Sequence, residues 1–118
     1  MKARPNITPR QEARAERRLC SAVAALQSAE EVQAFFRDLC TPAELQAMAD
    51  RWAVVDLLKR DLPYREIHRL SGVSVTTIGR VARFLVSGNG GYETAVHRLQ
   101  QLRRGARAAD AAESSRHG

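Results

Sequence analysis

The sequence predicts an all-α domain of about six helices, and three observations carry that expectation. Apolar residues recur at intervals of three and four while no stretch alternates for long, which is the pattern of amphipathic helices and not of strands. A hydroxyl residue followed three positions later by Gln or Glu, the signature of a capping box, occurs at Thr8, Ser28 and Thr41. Finally, Gly72 separates two short helical patterns by the length of a tight helix-to-helix turn. At 118 residues the chain is one domain's worth, with a core small enough that a second chain could usefully complete it.

The elements follow in order. Thr8, Pro9 and Gln11 supply an N-cap, a first-turn proline and a capping partner, so a helix is expected from about Pro9 through Leu26 with Leu19, Val23 and Leu26 on its apolar side. Ser28 opens a second helix carrying Val32, Phe35, Phe36 and Leu39. Thr41 opens a third, whose Leu45, Met48, Trp52 and Val55 form a stripe suited to packing against another helix, with Leu58 nearby. Pro63 fits the first turn of a short helix that carries Ile67 and Leu70 and stops at Gly72, where a left-handed conformation costs little. Ser74 caps the next helix, with Ile78, Val81 and Leu85 inward, and the run Ser87-Gly88-Asn89-Gly90-Gly91 ends it. A last helix is expected from Tyr92 through about Leu102, with Val96 and Leu99 inward. The resulting organisation is a basic flexible arm over 1–8, a helical domain over 9–104 with a helix-turn-helix at about 63–86, and a disordered Arg-, Ala- and Ser-rich tail over 105–118.

Composition narrows the function classes. The formal net charge of +6 suggests a polyanionic partner or an acidic surface. No apolar run approaches the ~20 residues needed to cross a bilayer, and the first residues hold no apolar leader segment, so a cytoplasmic, nucleoid-associated protein is expected. Cys20 and Cys40 sit at apolar helical positions without CxxC spacing and are expected as buried thiols, with no metal and no cofactor. His68, His97 and His117 lie in unrelated settings, and no Ser/His/Asp set or paired carboxylates in a Gly-rich context point to an enzyme.

A helix-turn-helix needs an apolar residue in its first helix, a glycine in the turn, an apolar residue just after it, and two more inside the second helix. Ile67, Gly72, Val73, Ile78 and Val81 meet those requirements in order. With these inward, Ser74, Val75, Thr76, Gly79, Arg80 and Arg83 face outward. Small hydroxyl and methyl groups permit close approach to base edges, and the helix N-terminus favours a phosphate. Charge agrees: residues 30–66 hold eight acids against five bases, whereas from Ile67 to Tyr92 there is no acid, only Arg69, Arg80 and Arg83 with His68 alongside. His68 replaces the small residue common at this place and is expected to pack or to touch a phosphate. The arm's Arg4, Arg10, Arg14, Arg17 and Arg18 would add phosphate contacts.

The segment LCTPAELQAMADRW, the core DLPYREIHRLSGVSVTTIGRV and the following GNGGY resemble the Trp repressor family, in its YerC/YecD-type branch, over about half the chain. The resemblance implies an intertwined, all-helical homodimer whose N-terminal helices build a shared core and whose two helix-turn-helix units face successive major grooves of double-stranded DNA. It also implies DNA contacts by Arg65, Val75, Thr76 and Gly79, and a corepressor pocket at Thr41, Arg51, Thr77 and Arg80. A glycine and a serine facing the ligand in that pocket are replaced by Val81 and Phe84, whose bulk would occupy the space of an indole ring, so the DNA-binding scaffold is expected here without tryptophan binding. The full set of expected DNA contacts is Arg65, His68, Arg69, Ser74, Val75, Thr76, Thr77, Gly79, Arg80 and Arg83, in a transcriptional regulator acting as a repressor. The alternative is a helical adaptor that binds an acidic protein partner, which would show aromatic or large aliphatic anchors over 74–83 where hydroxyls and arginines stand. A replication-initiator-like duplex reader would normally come with a nucleotide-hydrolysing domain, absent from this sequence.

Overall fold

The computed structural model describes residues 6–117, and the regular elements among them are all helical. In chain order they are α1 (Pro9–Ala25), α2 (Ala29–Leu39), α3 (Pro42–Lys59), α4 (Tyr64–Ser71), α5 (Val75–Ser87) and α6 (Gly91–His117). Local hydrogen bonds explain where they begin. The Gln11 amide donates to Thr8 Oγ1 at 3.2 Å while the Thr8 amide donates to Gln11 Oε1 at 2.8 Å. Thr41 and Glu44 form the same reciprocal box ahead of α3, at 3.1 and 2.8 Å. At Ser28 only half of the expected box forms: the Ser28 hydroxyl accepts from the Glu31 amide at 3.2 Å, but the Glu31 carboxylate takes the Gln27 amide instead, at 2.9 Å. Beyond Lys59 the chain turns on Asp61, whose φ of 59° is left-handed and whose amide donates to the Leu58 carbonyl at 3.0 Å. Aspartate is one of the few side-chain-bearing residues that adopts this conformation readily. Extended Pro63 then precedes α4 as its N-cap.

Two compact units divide the chain at residues 45 and 46, a boundary that falls inside α3. The first holds α1 and α2, neither of which contributes a buried residue. Leu19 remains 41% exposed, and Phe35 and Phe36 set their rings 6.1 Å apart. The second unit holds the core: Val54 and Val55 from α3, Ile67 from α4, Val73 from the turn, and Ile78 and Val81 from α5. Leu57, Leu58, Leu62, Leu85, Tyr92 and Val96 pack against it. Fully burying one such aliphatic side chain stabilises by roughly 1.5–3 kcal/mol.

Several expectations are corrected. The buried face of α3 runs through Val54 and Val55, leaving Met48 and Trp52 exposed, with Trp52 stacked on Tyr92 at 6.3 Å. Of the two apolar residues carried by α4, only Ile67 enters the core, and Leu70 is 53% exposed. Cys20 is exposed and Cys40 half-buried, since α1 and α2 have too few neighbours in one chain to cover an apolar position. The structureless tail expected from residue 105 does not occur, as α6 continues to His117. Ala106, Ala108, Ala109, Ala111 and Ala112 are strong helix formers, and they extend a helix that is already nucleated. Of the expected flexible arm, residues 1–5 lie outside the described residues.

Glu44 yields a pH test. The hydrogen bonds it makes with Thr41, the backbone one first, hold its carboxyl below the usual carboxylate range. Because the folded value is the lower one, the cap's contribution is present above the unfolded glutamate's titration near about pH 4.3 and is lost as pH falls through the depressed value. Urea midpoints measured from neutral pH downward should therefore fall less steeply below about pH 4.3 in Glu44→Gln than in the parent chain.

Candidate nucleic-acid interface

The turn between α4 and α5 is built to leave one conformation. Gly72 ends α4 at φ 74°, ψ 0°, and its amide donates to the His68 carbonyl at 2.9 Å. Ser71 Oγ donates to the Ile67 carbonyl at 2.6 Å and accepts the Val73 amide at 3.1 Å. His68 Nδ1 donates across the turn to the Val73 carbonyl at 2.7 Å, so this ring braces the motif from an exposed position. Beneath it Ile67, Val73, Ile78 and Val81 are buried, as the motif spacing requires, and this fixes which side of α5 looks outward.

The outward residues differ in how free they are. Val75, Thr76, Arg80 and Arg83 are exposed on α5, and Arg65 is exposed on α4. Ser74 and Thr77 are committed to each other: the Ser74 hydroxyl accepts the Thr77 amide at 3.2 Å and donates to Thr77 Oγ1 at 3.0 Å, capping α5. Arg69 Nε donates to Glu66 Oε2 at 3.0 Å, with a second contact from Nη2 to Oε1. This pairing lowers the Glu66 carboxyl below its usual range and raises the Arg69 guanidinium above its own. An acid one residue before the acid-free span thus takes up one of its three arginines. Of the expected arm, Arg10, Arg14, Arg17 and Arg18 are exposed on α1 in the other unit, and Arg4 lies outside the described residues.

Beside the outward face of α5, Arg51, Arg80, Phe84, Asn89, Gly91 and Tyr92 line a cavity of about 310 Å³. Arg80 and Arg83 place their guanidinium carbons 5.0 and 5.5 Å from the Phe84 ring centre, and Arg51 Nε donates to the Ala47 carbonyl at 3.1 Å. This cavity holds two of the four expected pocket residues, Arg51 and Arg80, and of the two replacements expected to fill the pocket only Phe84 lines it. Val81 turns into the core instead, 1% exposed, because it lies on the inward face of α5 with Ile78. A second cavity at the start of α5 brings together three of the expected pocket residues, Arg51, Thr77 and Arg80, and neither Val81 nor Phe84 lines it. Thr41 lies in the other unit and caps α3. Any Cβ at Gly88 would collide with the Phe84 carbonyl, so glycine is required where α5 ends.

One residue outside the expected set joins the face. Tyr64, the first residue of α4, lies over Gly79: a Cβ at Gly79 would stand 3.8 Å from Tyr64 Cε2. Gly79, expected as an outward contact, is therefore partly covered. The only hint in the sequence is an aromatic residue at the start of one helix and a glycine on the outward side of the next. Their meeting depends on how the helices cross, which residue spacing does not specify.

Residues 16–100 match the family described as Trp repressor protein. The uncharacterized protein YerC of Bacillus subtilis is 39% identical over 83 residues, covering 70% of this chain and 80% of that protein. The crystal structure of a TrpR-like protein from Eubacterium eligens superposes with a TM-score of 0.71 at 32% identity, covering 79% of this chain and 96% of the other. A solved chain from Staphylococcus aureus gives 0.70 at 33% identity, covering 80% and 96%.

The turn supplies a stability test. Nothing stands within 4 Å of a Cβ added at Gly72, so the cost of Gly72→Ala is conformational and not steric crowding. Holding alanine left-handed costs about 1–2 kcal/mol. Urea unfolding should show a loss of that size with an unchanged m-value.

Proposed function

The chain belongs to the Trp repressor family, and from that premise we propose that it is a sequence-specific DNA-binding transcriptional regulator, a repressor, that works as a homodimer and not as an enzyme. The observation that carries this reading is the outward face of α5. Val75 and Thr76 at its N-terminal turn and Arg80 and Arg83 further along stand exposed on a helix whose other side is locked by Ile67, Val73, Ile78 and Val81. Small side chains let the helix approach base edges and thymine methyls, while the arginines reach phosphates or guanines. Arg65 supports the same duplex from α4. Arg69 adds to it by exchanging Glu66 for a phosphate, since an exposed ion pair is worth little. Ser74 and Thr77 hold the start of α5 in shape, and His68 steadies the turn, so their part is positioning.

The homodimer follows from surface that one chain cannot cover. Leu19, Leu39, Met48, Trp52, Leu99 and Leu102 are all exposed, and α1 and α2 bury nothing. A second copy seated on these side chains gives the shared core, and it presents two reading helices to one duplex. Among the described residues no helix is long and apolar enough to cross a membrane. That agrees with action on DNA in the cytoplasm, at the nucleoid.

Selection from a random duplex pool with the purified protein should return a palindromic consensus, as a two-fold dimer requires. With Arg65, Arg69, Arg80 and Arg83 of both copies on phosphates, log affinity should fall with log salt at a slope of about −7. A slope near zero would replace this reading with an adaptor for an acidic protein. Regulation by tryptophan is not expected, because the bulk of Phe84 lines the cavity that Arg51 and Arg80 share. Isothermal titration with L-tryptophan should give no saturable heat. Saturable micromolar binding that tightens the operator complex would show the pocket to be functional.

A further inference from the structure

We propose that Tyr64 is a DNA-backbone contact of this protein, and that Gly79 is the vacancy on the reading helix that seats it; this rests on the DNA-binding reading. Tyr64 is 42% exposed, yet its ring lies on α5 at the position where Gly79 has no side chain. The framework of Ile67, Val73, Ile78 and Val81 points the opposite way, so the ring is on the side of α5 that carries Val75, Thr76 and Arg80. Tyrosine suits such a place because its ring can lie on an apolar surface while the hydroxyl stays in water. The neighbouring Arg65 is also exposed, at the same end of α4. Tyr64 and Arg65 therefore extend the outward face of α5 across the first helix of the motif, where a duplex lying on α5 brings its backbone.

The two residues contribute in different ways, and this makes the inference testable. A guanidinium on a phosphate releases a counterion and adds about 0.9 to the salt slope, whereas a neutral phenol donating one hydrogen bond adds affinity without slope. Space at position 79 is limited but not closed: an alanine methyl would meet the ring at an ordinary 3.8 Å, and a branched side chain would lift it.

The experiment compares the full-length protein with Tyr64→Phe by fluorescence anisotropy, on the duplex returned by the pool selection. Removing the hydroxyl from both copies should weaken binding about a hundredfold, since each hydrogen bond to a charged group is worth about a factor of ten or more. The salt slope and the urea midpoint should stay as in the parent, because the ring and every cation remain. Arg65→Ala, in contrast, should lower the slope. Gly79→Val, whose branched side chain would lift the ring, should lose at least as much as Tyr64→Phe. A scan of single methylphosphonate substitutions should then find one phosphate whose neutralisation weakens the parent markedly more than Tyr64→Phe. Binding of Tyr64→Phe within twofold of the parent, or equal losses of the two proteins at every methylphosphonate, would overturn the assignment and leave the DNA-binding reading intact. A parent protein that retains no duplex would remove both.

Discussion

Everything else in the second unit depends on four aliphatic side chains closing over a turn of three residues, Gly72 to Ser74. Ile67, Val73, Ile78 and Val81 meet Val54 and Val55, and they can do so only because Gly72 takes a left-handed conformation between α4 and α5. The burial is non-directional and tolerant, while the turn is neither. Polar groups therefore specify the crossing of the two helices. His68, Ser71 and Gly72 make four hydrogen bonds to or from backbone groups between Ile67 and Val73. The buried side chains press the helices together, and the hydrogen bonds decide the angle at which they meet.

That angle sets the chemistry of the outer face. Histidine at position 68 acts as a brace within the fold, which explains why a larger residue is tolerated where a small one is common. Ser74 and Thr77 are used up in capping α5, and Arg69 shares its charge with Glu66. The free cations of the motif are Arg65, Arg80 and Arg83, of which the last two lean on the Phe84 ring. Stacking of this kind costs an arginine little, since a guanidinium can lie on a ring and still present its edge donors. Phe84 thus supports two proposed phosphate-contacting groups and lines the cavity beside Arg51.

The first unit has a different physical situation. Its helices α1 and α2 are well capped, with Thr8 and Ser28 each satisfying an N-terminal amide, but they bury no side chain. Caps decide where a helix starts and contribute about 1 kcal/mol each; they do not replace a core. Short helices are marginal in water without tertiary packing. The proposed second copy supplies that packing, and coupling between assembly and folding follows for this part of the chain.

By itself the sequence determined the helical class, the number and order of the elements, the caps at Thr8, Ser28 and Thr41, and the inward set Ile67, Val73, Ile78 and Val81 around Gly72. These are local properties: periodicity, capping and glycine chemistry act within four or five residues. Family membership was legible for a similar reason, because its motifs are continuous stretches. Only the tertiary structure decided that Val54 and not Met48 enters the core, that Leu70 and Cys20 remain exposed, that Val81 turns away from the cavity while Phe84 lines it, and that Tyr64 covers Gly79. Each of those outcomes depends on which helix lies against which and at what angle, a relation between residues distant in the chain that no single stripe of apolar positions contains.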